Sequence, residues 1–451
     1  MKKNHAKKGA LSLLLPLVLL CTLASGCAKT GSSAAPSAEP AVQAKKPLRL
    51  CADFGVGKPF TSSGGHHGAV KSLLNSVAEK TGVEDVEIEI LPTDGAERQT
   101  AINRIRVELM SGEGPDLFLC NCIATAYKAE EQALFQFPDK AMKSGVFLNL
   151  DEHISRARFM EWDKLTPAVM SAGRTEEGQF LLPLAYSFPL SAFRSSDISP
   201  YPADTTWAQV AAGDDPVLST SMGPLLSSLF PLPEGDGIDY FSFTWKELAD
   251  YETDSLLFSE SDLLQRAKEA LSLSEAGAEP SIPHFRGVMD RYVLIADEAF
   301  DANFKELRQG ITSEDSLTMI PLYCDQGGAV AAVKAFAGVN AHTERAEDAF
   351  AVLDVLLSES TMVYSPLYEM WTYDAMPVHE ELSFSKPEPV FSAYQEAREQ
   401  ITSARFPTPL DSLLSGALVQ YKMLGNDAKE TDLAEIAAET YRELKRTLDE
   451  S

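Results

Sequence analysis

The chain has 451 residues, of which 45% are hydrophobic and 23% are charged, as in an ordinary folded protein. Acidic residues outnumber basic ones by 66 to 39, so the net charge is −27 at pH 7. This balance argues against nucleic acid or an anionic membrane surface as a partner, because both require basic patches. Since single cores stop growing at roughly 250–300 residues, we expect two or three lobes.

Residues 1–26 have the features of an export signal. Four lysines within the first eight residues precede an almost unbroken apolar run at 11–23, and small residues at 24–26 lead into Cys27. This order of charged, apolar and small residues is typical of a secretory signal. The run is too short to be a membrane-spanning helix. We therefore expect cleavage of a signal peptide directly before Cys27.

The stretch that ends at Cys27 resembles the bacterial lipobox, in which lipid is attached to the cysteine. The resemblance implies a lipoprotein anchored through Cys27 to the extracytoplasmic face of the cell membrane. The alternative is an ordinary cleaved signal with an incidental cysteine. Residues 28–46 contain hardly any large apolar side chain, which predicts a flexible linker behind the lipidated cysteine. The folded body is then expected to begin near Pro47. After cleavage of the signal, residues 27–451 carry 35 basic and 66 acidic residues.

The first part of this body predicts strands that alternate with helices. Strands are expected at 48–52, 86–90 and 117–120, where short apolar or alternating runs occur. The intervening helices are predicted from apolar residues at helical spacing, namely Val70, Leu73, Leu74 and Val77 in the first and Ile102, Ile105, Leu109 and Met110 in the second. This alternation indicates a parallel sheet covered by helices, with ligands bound beyond the carboxyl ends of its strands.

Residues 104–117 resemble a stretch typical of the extracellular solute-binding proteins of ABC importers, in the large class that includes the sugar binders. In this chain the stretch reads RIRVELMSGEGPDL. Further segments fall in the order that the family has, at 178–183, 206–210, 250–259, 337–350 and 376–378. Gln209 and Val210 depart from the family pattern. The resemblance covers most of residues 47–380.

The resemblance implies an α/β fold of the type II periplasmic-binding-protein kind. Two lobes, each with a mixed or parallel sheet flanked by helices, are linked by a hinge. The first lobe is expected at 47–190, with 335–380 returning to it, and the second at 191–334, with 381–451 completing it. The hinge crossings are expected near 187–193, 330–336 and 378–382.

In such a fold the ligand is expected in the cleft between the lobes, where a few polar groups and aromatic faces converge. The ligand-binding candidates are polar or aromatic residues at strand ends, in loops or near a crossing, namely Asp53, Phe54, Phe60, His66, Asn121, Tyr186, Asp297, Phe300, Tyr323 and Trp371. Of these, Tyr186, Asn121 and Phe54 are favoured. For every candidate the competing interpretation is a side chain that packs in a core.

No cofactor or metal site is predicted. His66 and His67 are adjacent, so their side chains diverge, and no third ligand is visible. Gly57 and Lys58 follow a strand but lack the first glycine and the Ser or Thr of a phosphate-binding loop. The chain also lacks the two-histidine zinc motif and the nucleophile elbow of hydrolases. We therefore assign no catalytic residue.

Four cysteines remain in the body, Cys51, Cys120, Cys122 and Cys324. Four thiols in so long a chain do not form a disulfide framework. They are interpreted as buried structural thiols. A bridge from Cys51 to Cys120 or Cys122 is the alternative.

Three functional hypotheses follow from these patterns. The first is a membrane-anchored, non-catalytic receptor that captures a small solute and delivers it to ABC permease subunits. Carbohydrate is its favoured cargo, with peptide, polyamine or metal as alternatives. The second is a lipid-anchored hydrolase of surface polysaccharide, which requires a catalytic carboxylate pair that the spacing does not single out. The third is a transport-inactive binding protein that serves as a sensor module or adhesin.

Overall fold

A computed structural model describes most of the chain from Lys46 onward. The described residues are 46–55, 65–93, 95–122, 132–196, 198, 200–214, 218, 226, 240–275, 285–288, 316–372, 375–381, 390–424 and 429–451. The predicted signal peptide, Cys27 and the linker up to residue 45 lie outside them. Among the helices in these ranges, none combines the length and hydrophobicity needed to cross a bilayer.

Fourteen strands and thirteen α-helices can be described. The strands are β1 Leu48–Asp53, β2 Val86–Ile90, β3 Leu117–Asn121, β4 Arg174–Thr175, β5 Gly178–Gln179, β6 Leu181–Ser187, β7 Pro189–Arg194, β8 Ala249–Asp250, β9 Ser255–Leu256, β10 Phe285–Val288, β11 Leu317–Pro321, β12 Ala329–Val339, β13 Met376–Pro377 and β14 Ile401–Arg405. The helices are α1 Gly65–Thr81, α2 Gly95–Met110, α3 Pro138–Lys143, α4 Asp151–Ile154, α5 Pro167–Met170, α6 Trp207–Ala212, α7 Glu260–Glu275, α8 Ala346–Leu356, α9 Glu359–Tyr364, α10 Pro366–Trp371, α11 Val390–Arg398, α12 Pro409–Leu424 and α13 Glu430–Asp449. Short 3-10 turns lie at Trp162–Lys164, Ser171–Gly173 and Tyr240–Thr244.

The larger sheet has seven strands in the order β13-β6-β12-β3-β1-β2, with β14 paired to β12. Strands β1, β2 and β3 are mutually parallel, with Leu50 opposite both Ile88 and Leu117. Helices α1 and α2 connect them, which confirms the predicted order of strand, helix, strand, helix and strand. Since these strands run in the same direction, β1 and β3 end at the same edge of the sheet.

A smaller antiparallel sheet has the order β10-β7-β11. Only Phe188 separates β6, in the larger sheet, from β7, in the smaller one. The chain thus passes between the sheets inside the range 187–193, where the sequence places the first crossing. Strand β12 starts beside β14 and continues between β3 and β6, with register shifts after Ala329 and Val333.

Two clusters of buried hydrophobic residues accompany the two sheets. The first core contains residues from 48–192 and 317–406, and the second contains residues from 193–273, 320–332 and 410–448 together with Phe137. The sequence assigned 381–451 to the second lobe. In the structure, Phe391, Tyr394 and Phe406 pack in the first core, and the second core resumes at Leu410. The C-terminal change of core therefore lies later in the chain than the predicted lobe boundary.

The four cysteines of the described chain are free thiols. Cys51 lies opposite Phe118 in the register of β1 and β3, so Cys51 and Cys120 occupy neighbouring strands without a bond between them. Burial raises the pKa of Cys51 and of Cys120 well above the ordinary value for a thiol. These side chains are therefore protonated and unreactive at neutral pH.

Half-buried Asp139 on α3 is expected to make stability depend on pH. Loss of hydration raises the pKa of this carboxyl to about 6, whereas an unfolded Asp titrates near 3.9. Between these values the folded state binds more protons than the unfolded one, so this group's contribution to stability falls as pH rises from about 4 to 6. We expect Asp139→Asn to raise the free energy of unfolding by about 1–2 kcal/mol at pH 7 and by almost nothing at pH 4.

Urea unfolding of both proteins at pH 4, 5, 6 and 7 measures this difference. Asp85→Asn, at an exposed carboxyl, serves as the control substitution. The raised pKa of Asp139 would be contradicted if Asp139→Asn and the parent differed in stability by the same amount at all four pH values.

Candidate functional site

Phe54 and Asn121 meet at the common edge where β1 and β3 end. Asn121 is the last residue of β3, and its Nδ2 donates a hydrogen bond of 3.3 Å to the carbonyl of Phe54, which directly follows β1. The indole Nε1 of Trp371, at the end of α10, donates to Asn121 Oδ1 over 2.9 Å. Asn121 thus joins the loop after β1 to a helix 250 positions later in the chain.

Aromatic rings surround this amide. Phe54 lies 4.6 Å from the His66 ring and 6.5 Å from the Trp371 ring, measured between centroids. Only 9% of Phe54 and 3% of Trp371 is exposed, whereas His66 and Asn121 are half-buried. The two larger rings therefore form the base of the site, and the amide and imidazole supply its more accessible polar groups. Four of the ten predicted ligand-binding residues are brought together here.

The described side chains of this cluster are uncharged at neutral pH. Burial lowers the pKa of His66, so its imidazole is uncharged at neutral pH and offers one donor and one acceptor. The bond to Phe54 uses one N–H of the Asn121 amide, and the bond from Trp371 uses one lone pair of its oxygen. The amide retains a second N–H and a further lone pair. Such groups suit a neutral ligand with hydroxyl or amide functions.

Asp53 stabilises the loops next to this cluster. Its carboxylate, fully buried, accepts hydrogen bonds of 2.7 and 2.9 Å from Arg98 Nη2 and further bonds from the backbone N–H groups of Gly55 and Leu134. Arg98, equally buried, also donates to the carbonyl of Gln132. Asp53 therefore holds the loops around Phe54 and Leu134, and the structure does not present it as a free ligand-binding carboxylate.

Tyr186 and Tyr323 lie in the interior. Tyr186 is 1% exposed, its hydroxyl is 3.0 Å from that of Tyr394, and its ring stacks on Phe188 at the crossing between the sheets. The hydroxyl of Tyr323 donates to Gln400 over 3.0 Å. Burial raises the pKa of both phenols. Both side chains therefore pack among other buried residues in this structure.

The remaining predicted candidates, Phe60, Asp297 and Phe300, lie outside the described residues. Tyr368 was not among the candidates. Its ring is perpendicular to that of Trp371, with centroids 5.3 Å apart, and its buried hydroxyl has no hydrogen-bond partner among the described residues. The spacing of three residues in α10 could have indicated that Tyr368 and Trp371 share one helical face.

Two cavities of the described structure lie elsewhere. One, of about 320 Å³, is bordered by residues of α7 and by Trp207 and Trp245, and the other, of about 300 Å³, lies beside α5. Of the predicted ligand-binding residues that the structure describes, none lines either cavity. Within the described ranges, no group of three or more His, Cys, Asp or Glu side chains is arranged to hold a metal ion.

No protein-family model matches this sequence, and no curated protein matches it significantly. Solved structures do resemble its fold. A family 1 extracellular solute-binding protein from Alicyclobacillus acidocaldarius is 15% identical, with a TM-score of 0.52 over 90% of this chain and 99% of that one. A periplasmic oligogalacturonide-binding protein from Yersinia enterocolitica is 12% identical, with a TM-score of 0.51 over 89% and 99% of the two chains.

A designed cysteine esterase also shares the fold, with 13% identity and a TM-score of 0.53 over 90% of this chain and 98% of the other. The α/β fold with two sheets that the sequence predicts is therefore confirmed as that of the periplasmic solute-binding proteins. Because the same fold includes a designed enzyme, function has to be argued from the residues of the site.

Proposed function

Because the chain has the fold of the extracellular solute-binding proteins, we propose that it captures a small neutral solute and delivers it to an ABC permease. A sugar or oligosaccharide is the proposed cargo, held in a cleft between two hinged lobes. The lipid anchor at Cys27 would keep the protein on the outer side of the cell membrane.

The observation that carries the proposal is the neutral cluster of Phe54, His66, Asn121 and Trp371 at the carboxyl edge of β1 and β3. Ligands of open α/β sheets bind at this edge. Hydroxyl groups of a sugar form hydrogen bonds with neutral or carboxylate groups, and the apolar face of its ring stacks on aromatic side chains. Oligosaccharide binding by the similarly folded Yersinia protein agrees with this class of ligand.

Binding without catalysis is favoured by the position of Asp53. A glycoside hydrolase requires two carboxyl groups that flank the scissile bond. Asp53 is the one carboxylate among the described ligand-binding candidates, and it is fully buried and paired with Arg98. The structure therefore supports ligand capture by the described part of the site.

Thermal unfolding in the presence of single ligands tests the proposal. The panel contains neutral mono- and oligosaccharides, with peptides, polyamines and divalent metal ions as the competing classes. A ligand at 100 times its Kd stabilises the native state by about 2.7 kcal/mol. Titration calorimetry then gives the affinity of any saccharide that shifts the transition. Stabilisation by a competing class alone, or turnover of a saccharide, would contradict the proposal.

A further inference from the structure

Phe137 connects a segment of the first core to the second core. Around it, Leu134, Met142 and Phe147 pack in the first core, but Phe137 belongs to the second. Its ring and that of Tyr251 pack in a T-shaped arrangement with their centroids 6.0 Å apart. The segment from Phe137 to Lys140, which includes the start of α3, is called the 137–140 segment below.

Lys140 fixes this segment to two further elements of the second core. Its Nζ lies 2.8 Å from Asp254 Oδ1 and donates over 2.8 Å to the carbonyl of Leu448. Leu448 lies in the last turn of α13, where carbonyl groups lack helical partners and attract a positive charge. The Lys140 side chain is only 17% exposed, and its Nζ lies over the Phe137 ring at 5.6 Å. The Lys140 ammonium group, the Phe137 ring and the C-terminal end of α13 thus form one contact.

The chain that leads into this contact lies on the opposite face of the larger sheet from the neutral site. Side chains alternate between faces along β3, so Phe118 and Asn121 point to opposite sides. Asn121 contacts Trp371, whereas Phe118 contacts Phe135 at 5.2 Å. Phe135 precedes Phe137 by two residues, which places the chain leading into the 137–140 segment on the face away from Asn121.

We propose that the 137–140 segment is a latch that holds the two lobes apart on the ligand side. This inference rests on the proposed capture of a solute between hinged lobes. A rotation at the crossing near Phe188 that moves the second core toward Asn121 also moves it away from the opposite face. Closure would then separate Lys140 from Asp254 and Leu448, and Phe137 from Tyr251. The latch therefore opposes closure, and it lowers ligand affinity by reducing the population that can close.

Lys140→Gln tests the latch because it removes the cation and keeps a side chain of similar length. The parent affinity for a saccharide found in the panel is compared with that of the variant by calorimetry. We expect binding to become about three- to fivefold tighter, the effect of losing one partly exposed ion pair. Asp254→Asn is expected to act in the same direction.

Lys268→Gln is the matched control. Lys268 pairs with Glu430 over 2.5 Å, but both residues belong to helices of the second core. Losing this pair should leave affinity unchanged. Unchanged or weaker binding in Lys140→Gln, or equal tightening in Lys268→Gln, would overturn the latch.

A distance measurement tests the latch even if no ligand is found. Spin labels at the exposed positions Lys71, on α1, and Ser272, on α7, report the separation of the lobes. In the absence of ligand, we expect Lys140→Gln to raise the short-distance population about threefold, and Lys268→Gln to leave it unchanged. Such a shift without any bound saccharide would support the latch while the proposed cargo fails. Identical distance distributions in the parent and Lys140→Gln would overturn it.

Discussion

Replacement of Arg98 by methionine is expected to lower the free energy of unfolding by about 3–5 kcal/mol. The substitution leaves the Asp53 carboxylate without its cation at a position that is fully buried. Removing one partner of a buried pair is costly because the remaining charge is neither hydrated nor compensated. It also releases the carbonyl of Gln132, which accepts two hydrogen bonds from Arg98. Urea unfolding followed by circular dichroism measures the loss.

Arg104→Met, on the same helix α2, is the control for this experiment. Arg104 pairs with Glu89 and Glu108 at the surface, and its side chain is 43% exposed. Such pairs contribute less than about 1 kcal/mol. The double variant Arg98→Met with Asp53→Asn should be more stable than Arg98→Met alone, because it removes the uncompensated charge. A loss below 1 kcal/mol in Arg98→Met, or no recovery in the double variant, would refute the structural role of this pair.

Asn121→Ala is expected to weaken binding of the saccharide at least about tenfold. The substitution removes the amide groups proposed to contact the ligand, each hydrogen bond being worth about 0.5–1.5 kcal/mol. It also frees the Trp371 indole N–H and the Phe54 carbonyl, both of which Asn121 now holds. The base of the site should then lose its fixed geometry. Calorimetric titration with the saccharide measures the change.

Asn340→Ala separates the binding effect from an effect on stability. Asn340 follows β12 and donates from its side chain to the carbonyls of Glu113 and Pro115, just before β3 begins. It is thus a buried asparagine whose amide bonds to the backbone at the opposite end of the strand that carries Asn121. Asn340→Ala should lower stability and keep the parent affinity. Equal affinity losses in the two variants would argue against a ligand contact by Asn121.

Short-range patterns were sufficient for the elements that begin the folded body. Strands appear at 48–53, 86–90 and 117–121, and α1 buries Val70, Leu73, Leu74 and Val77 as its spacing predicts. In α2, Ile102 and Ile105 are buried, but Met110 is 88% exposed. Met110 was placed on the apolar face by residue type, although it is the last residue of the helix, beyond the part that packs on the sheet.

The roles of individual polar side chains were harder to predict. Phe54 and Asn121 were placed at the same edge correctly because they lie at the ends of two parallel strands. Asp53 also lies at the end of β1, yet it has a structural role because its carboxylate is paired with Arg98, 45 positions later in the chain. Tyr186 lies at the crossing as predicted and is nevertheless buried against Tyr394. Nothing in the local sequence distinguishes a charge or phenol that is already paired from one that remains available to a ligand.

Hydrophobic spacing along the chain was enough to predict the parallel β1–β2–β3 unit, its two helices and the edge at which β1 and β3 end, because each of these elements depends on neighbours a few positions apart. Contacts between distant segments decided the rest. Trp371 joins Asn121, Phe391 and Tyr394 enter the first core, and Lys140 reaches Asp254 and Leu448 only after the chain has folded. Such pairings depend on which surfaces pack together in three dimensions, so side-chain burial and the partners of each charge emerged only with the tertiary structure.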